Sequence, residues 1–282
     1  MKVVTNAPIK DYTTYKLTGT IKKVVYPENI YELIDLLNEL KGQKYKVIGN
    51  GSNLIFLENY NGVIIKLNNL NKLEIKDNVI TVEAGYNLMK LALKTAKLGL
   101  SGLEFASGIP ATIGGAICMN AGAYNKEMKD VVREVIIIDG NLNIKKISGK
   151  KLKFSYRNSI FKEKNYICLK ATLVLEKKNK EEILELIKKR KQRRLKTQPL
   201  DKPSAGSVFT NPENDYAGRL IEEAGLKGKQ IGAAVVSEKH ANFIINDGSA
   251  SGKDVKDLII FIQKEIRNKY GIDLKTEQEI VK

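Results

Sequence analysis

The chain has 282 residues, 43% hydrophobic and 28% charged, with 48 Lys+Arg against 32 Asp+Glu and a formal net charge of +16. Such a composition excludes global disorder, and no apolar run approaches the ~20 residues of a membrane-spanning helix. The N-terminus lacks the apolar core of a signal peptide. Two cysteines, Cys118 and Cys168, are too few for a disulfide framework or a structural zinc site. A cytoplasmic protein is expected, of one large domain or two to three ordinary ones.

The first stretch reads as a β-α-β unit. Residues 21–26 form a strand that Pro27 ends. Ile30, Leu33, Ile34, Leu37 and Leu40 then follow helical spacing up to Gly42, and 45–48 make a second strand running into Gly49-Asn50-Gly51-Ser52-Asn53. From Gly62 the pattern turns to β, with strands over 63–67, 79–83, 131–139 and 166–176 interrupted by a helix over 87–98. Residues 101–123 are glycine-rich with little periodicity and read as one long functional loop. A charged helix over 180–196 leads to Pro199 and Pro203. Beyond it lies a smaller α+β unit: a turn at 204–212, helices near 216–224 and 254–269, strands near 233–236 and 242–245, and an extended tail over 274–281.

Positive charge alone leaves three readings open. The run from Lys188 to Lys196 follows Glu181, Glu182 and Glu185. That order suits a solvated helix whose dipole favours acid first and base last. It also suits attraction of an anionic small molecule or, remotely, nucleic acid. Lysines spread from end to end favour the first.

Gly49-Asn50-Gly51-Ser52-Asn53 follows a strand, but Leu54 stands where a dinucleotide fingerprint needs its third glycine. A tight turn and an anion-binding nest both remain compatible with it. The second glycine-rich segment runs Ser107-Gly108-Ile109-Pro110-Ala111-Thr112-Ile113-Gly114-Gly115-Ala116 and continues through Asn120-Ala121-Gly122-Ala123-Tyr124. Two such loops suggest a large cofactor held against bare main chain.

With Ser155-Tyr156-Arg157-Asn158-Ser159 and Ala205-Gly206-Ser207-Val208-Phe209…Asn211-Pro212, these motifs resemble the UDP-N-acetylenolpyruvoylglucosamine reductases, FAD enzymes of peptidoglycan precursor synthesis. The resemblance runs from about Asp11 to Val281 and matches the shorter, second type of the family. Departures fall at Thr210, Ala111-Thr112 and the tail Glu277-Gln278-Glu279.

The resemblance implies an α+β chain. An FAD-binding domain spans 1–180, of the vanillyl-alcohol-oxidase/PCMH type over about 16–180, with a β-α-β subdomain over about 1–67 and an antiparallel β subdomain over about 68–180. A separate α+β substrate domain spans 181–282, its tail returning to the active site. Related flavoproteins of this fold often attach flavin through a histidine near the first loop; the only histidine here, His240, falls outside the flavin domain in the sequence, so FAD is expected to bind non-covalently. Its contacts are expected from Gly49, Asn50, Gly51, Ser52, Asn53, Leu54, Ile109, Pro110, Gly114, Gly115, Gly122 and Ala123. NADPH is the implied hydride donor, and UDP-N-acetylglucosamine enolpyruvate, reduced to UDP-N-acetylmuramate, the implied substrate. Arg157 would clamp its carboxylate with a guanidinium fork. Ser207 would give a proton to the adjacent carbon, and Glu277, with Glu279 as rival, would stabilise the enol. Tyr124, Tyr156 and Asn211 would contact substrate, with Lys196 or Lys202 available to its diphosphate. No metal, nucleic acid or membrane is implied, and a monomer is expected. A flavin-dependent sugar or alcohol oxidase of the same fold is the alternative enzyme.

Overall fold

A computed structural model describes all residues, Met1–Lys282. The strand Thr20–Tyr26, the helix Ile30–Glu39 and the strand Tyr45–Ile48 follow one another as the hydrophobic spacing demands. Asn29 starts that helix, its side chain accepting the Glu32 N–H at 3.0 Å. The strand order is Lys2–Pro8, Thr20–Tyr26, Tyr60–Lys66, Tyr45–Ile48, so a later strand is inserted between the two of the β-α-β unit.

A five-stranded antiparallel sheet carries the β-branched segments, in the order Ile144–Ser148, Val132–Ile138, Ile167–Val174, Val79–Glu83, Leu73–Lys76. The helix Leu88–Lys97 is capped by Asn87, which accepts the Lys90 N–H at 2.9 Å. The smaller C-terminal elements are the helices Ala217–Glu223 and Gly252–Tyr270 and a three-stranded sheet of Gln230–Ile231, Ala234–Val236 and Ile244–Asn246. Ser251 and Asp254 form a reciprocal capping box at the start of Gly252–Tyr270. The tail strand Glu279–Val281 pairs in parallel with Leu54–Phe56. No helix is long and apolar enough to cross a membrane.

One expectation is corrected. Residues 101–123 are not a long loop: they hold a 3₁₀ helix, Glu104–Gly108, an α-helix, Ile113–Cys118, and the strand Gly122–Ala123. Phe105, Ala106, Ile113, Ala116 and Ile117 are buried along them. Pieces of five or six residues are too short to display a helical period, and glycine masks what remains.

By packing, the chain gathers into two compact units. The first holds Met1–Val3, Val24–Asn50 and Ile64–Arg193; the second holds Val4–Lys23, Gly51–Val63 and Arg194–Lys282.

Candidate active site

In the first unit the strand Tyr45–Ile48 opens into Gly49 and Asn50. Asn50 Nδ2 donates to the Pro110 carbonyl at 3.1 Å. A Cβ on Gly49 would stand 2.6 Å from Thr112 Oγ1, so only glycine permits this approach. The two glycine-rich loops therefore meet. Thr112 also accepts the Gly115 N–H at 3.3 Å, and the Gly114 N–H reaches the Ala84 carbonyl at 2.9 Å. Ile109 ends the 3₁₀ helix with its N–H on the Ala106 carbonyl at 3.0 Å. Small side chains and main chain make up this surface, as a flat ligand requires.

Beside Gly49 lies a residue the motifs did not reveal. Lys66, 7% exposed, donates its ammonium to the Gly49 carbonyl. Burial pushes its pKa down to about 8. The sign of it in the sequence is a single lysine inside the apolar run Val63-Ile64-Ile65-Lys66-Leu67.

Arg157 occupies a two-residue turn closed by Ser155 N–H to the Asn158 carbonyl (3.1 Å) and Asn158 N–H to the Ser155 carbonyl (3.0 Å). Its φ is +55°, at a turn position where glycine is usual. Such a conformation costs a larger residue roughly 1–3 kcal/mol and persists only when the surroundings enforce it. Asn120, fully buried, does the enforcing. Its Nδ2 donates to the Ser155 carbonyl and to Glu127 Oε2, both at 2.9 Å, while Oδ1 accepts the Lys129 N–H. Arg157 Nη2 in turn donates to the Gly122 carbonyl at 3.1 Å, and its guanidinium lies 4.9 Å over the half-exposed Tyr156 ring.

Gly122 and Ala123 pair with Lys126 and Glu127 across Tyr124 and Asn125, whose φ values of +56° and +59° suit a tight hairpin turn. Tyr124 O–H donates to the Arg190 carbonyl at 3.4 Å, and the Arg190 guanidinium stacks 4.5 Å over its ring. One member of the basic 188–196 run thus packs on Tyr124 rather than standing free in solvent.

The second unit assembles Ser207 and Glu277. Ser207 follows Gly206 (φ +74°) and bridges Phe243. The Glu277 N–H donates to the Val208 carbonyl at 2.8 Å, the Thr210 N–H donates to the Lys275 carbonyl at 2.9 Å, and Phe209 bridges Thr276. The tail therefore runs antiparallel beside 208–210 and brings Glu277 next to the Ser207 segment. Glu279 instead pairs with Leu54 and is exposed.

Buried amides hold this arrangement. Asn242 clasps Phe209 through both its N–H and its carbonyl, each at 2.9 Å. Gln278 donates to the Ala205 (3.1 Å) and Gly206 (3.2 Å) carbonyls and accepts the Tyr15 O–H at 3.0 Å. None of these amides follows a sequence pattern.

Gly51, Ser52, Asn53 and Leu54 belong to this unit. Asn53 Nδ2 donates to the Glu277 carbonyl at 3.1 Å. Gly51 has φ +63°, and a Cβ there would collide with the Tyr12 carbonyl. Asn211 Oδ1 accepts the Ala217 N–H at 3.2 Å, and Lys202 is paired with Asp247 at 2.9 Å. Burial pushes the Cys168 thiol pKa well up, as expected of a core residue.

The glycine surface joining two loops, with a cation beneath it, fits a dinucleotide. Profiles of two families match: an FAD binding domain over residues 21–148, and the C-terminal domain of UDP-N-acetylenolpyruvoylglucosamine reductase over 198–281. The chain is 47% identical to UDP-N-acetylenolpyruvoylglucosamine reductase of Bacillus licheniformis and 45% identical to that of Bacillus subtilis. Each alignment covers 99% of this chain and 94% of the relative. The crystal structure of the reductase from Thermus caldophilus superposes with a TM-score of 0.86 at 35% identity, over 100% of this chain and 98% of that one. The chain belongs to the UDP-N-acetylenolpyruvoylglucosamine reductase family, FAD oxidoreductases of peptidoglycan precursor synthesis.

Proposed function

We propose that Arg157, Ser207 and Glu277 carry the reduction of UDP-N-acetylglucosamine enolpyruvate to UDP-N-acetylmuramate. FAD, when bound, would supply the hydride, with NADPH as its source. Arg157 holds the substrate carboxylate, its fork matching two oxygens while its charge offsets the negative charge that develops there. The Ser207 hydroxyl delivers a proton to the carbon beside that carboxylate, and Glu277 stabilises the enol form. The observation that carries this reading is the ladder pairing of Glu277 with the Ser207 segment, since a proton donor and its supporting carboxylate need a fixed spacing.

Gly49 to Leu54, Ile109, Pro110, Gly114, Gly115, Gly122 and Ala123 hold FAD without a covalent bond; Tyr124, Tyr156 and Asn211 contact the nucleotide sugar. In this reading 1–180 serve the cofactor and 181–282 the substrate, and the protein works as a cytoplasmic monomer. Anaerobic NADPH should bleach the flavin, and the enolpyruvyl nucleotide sugar should restore its colour. Rapid reoxidation by oxygen with no response to that substrate would instead mean an oxidase.

A further inference from the structure

Of the 48 Lys and Arg side chains, Lys66 alone is buried. Its ammonium donates to one carbonyl, that of Gly49. Burial is the sole cause of its lowered pKa, and no charged side chain contributes to it. A buried ammonium held by a single neutral acceptor is expensive, and leucine or methionine would fill the same strand position at less cost. An anion held nearby would offset that cost.

Geometry says where. A trans peptide points its C=O and N–H in opposite directions. Fixing the Gly49 carbonyl on Lys66 therefore turns the Asn50 N–H away from the lysine, and a cation on the carbonyl strengthens that N–H as a donor. The same Asn50 ties this loop to Pro110 in the second glycine-rich segment.

We propose that Lys66 is an internal counter-charge for the diphosphate of the bound dinucleotide, a positioning residue acting through the Gly49–Asn50 peptide. This rests on Gly49 and Asn50 belonging to the cofactor loop. The lysine is costly in the free protein and favourable once the anion is in place. Binding FAD then raises the affinity of Lys66 for its proton, so proton uptake accompanies binding.

The test uses protein freed of flavin and titrated with FAD, ADP and riboflavin, comparing wild type with Lys66→Met. The variant should bind FAD and ADP about 10- to 100-fold more weakly. Riboflavin, which carries no phosphate, should bind equally well, and the flavin-free Tm should stay level or rise. Wild-type FAD affinity should weaken as pH rises from 7 to 9.5, whereas the variant should respond much less; Lys66→Arg should recover part of the loss. Equal loss of FAD and riboflavin with a lower Tm would reduce Lys66 to a structural strut and overturn the proposal, as would unchanged FAD affinity. Asn50→Asp separates the two readings. If it weakens FAD while Lys66→Met does not, the lysine's role fails alone. If neither variant weakens FAD, the cofactor-loop reading fails with it.

Discussion

The two units prepare their chemistry by opposite means. In the first, main chain is exposed through glycine and through larger residues forced to positive φ at Tyr124, Asn125 and Arg157, while one buried cation stands behind it. In the second, Ser207 and Glu277 lie in extended segments whose carbonyls and amides are clasped by Asn242 and Gln278. A surface meant for a large flat cofactor can be made of backbone, because many weak contacts share the load. The proton donor proposed at Ser207 would act at one atom, so its segment must be pinned from both sides.

Substitutions that exchange these strategies should break the site most. Gly51→Val should have the largest effect, because it puts a β-branched residue at φ +63° against the Tyr12 carbonyl. We expect loss of soluble protein as well as of flavin, measured by yield, Tm and bound FAD. The clash lies within the chain, so Gly51 is required before any phosphate arrives.

Arg157→Lys should follow, slowing the substrate half of the cycle roughly 10²–10³-fold while NADPH still bleaches the flavin. Arg157→Gly should remove that half-reaction yet leave Tm level or higher, because glycine relieves the +55° backbone. A large drop in Tm would mean that the arginine is structural.

Gln278→Leu leaves the Tyr15 hydroxyl and two carbonyls short of a partner and should cost about 1–3 kcal/mol of stability. Reoxidation by substrate should also slow about 10-fold, more than flavin reduction does. Equal slowing of both halves would make Gln278 a general strut. The smallest effect belongs to Tyr156→Ala, which removes the ring beneath the guanidinium together with one proposed contact to the nucleotide sugar and should change turnover less than ~5-fold.

The contrast between the units also explains what could be read in advance. Glycine runs and the short motifs around Arg157 and Ser207 are local in sequence. The amides that fix the site are not local. Asn120 reaches Ser155 across 35 residues, Asn242 reaches Phe209 across 33, and Gln278 reaches Tyr15 across 263. An isolated Asn or Gln carries no periodicity, and only the fold reveals its partner. The short helix Ile113–Cys118 was hidden for a related reason: its glycines face neighbouring backbone and side chains, so packing rather than propensity makes it helical. Lys66 was legible in principle, as a cation interrupting an apolar strand.

The central claim is that Ser207 delivers a proton in one half of the reaction and has no part in the other. Ser207→Ala should leave anaerobic bleaching of the flavin by NADPH nearly normal and slow reoxidation by the enolpyruvyl substrate at least ~100-fold, the size of a lost general acid. Ser207→Cys should recover part of that rate. Equal slowing of both half-reactions, or of neither, would contradict the assignment.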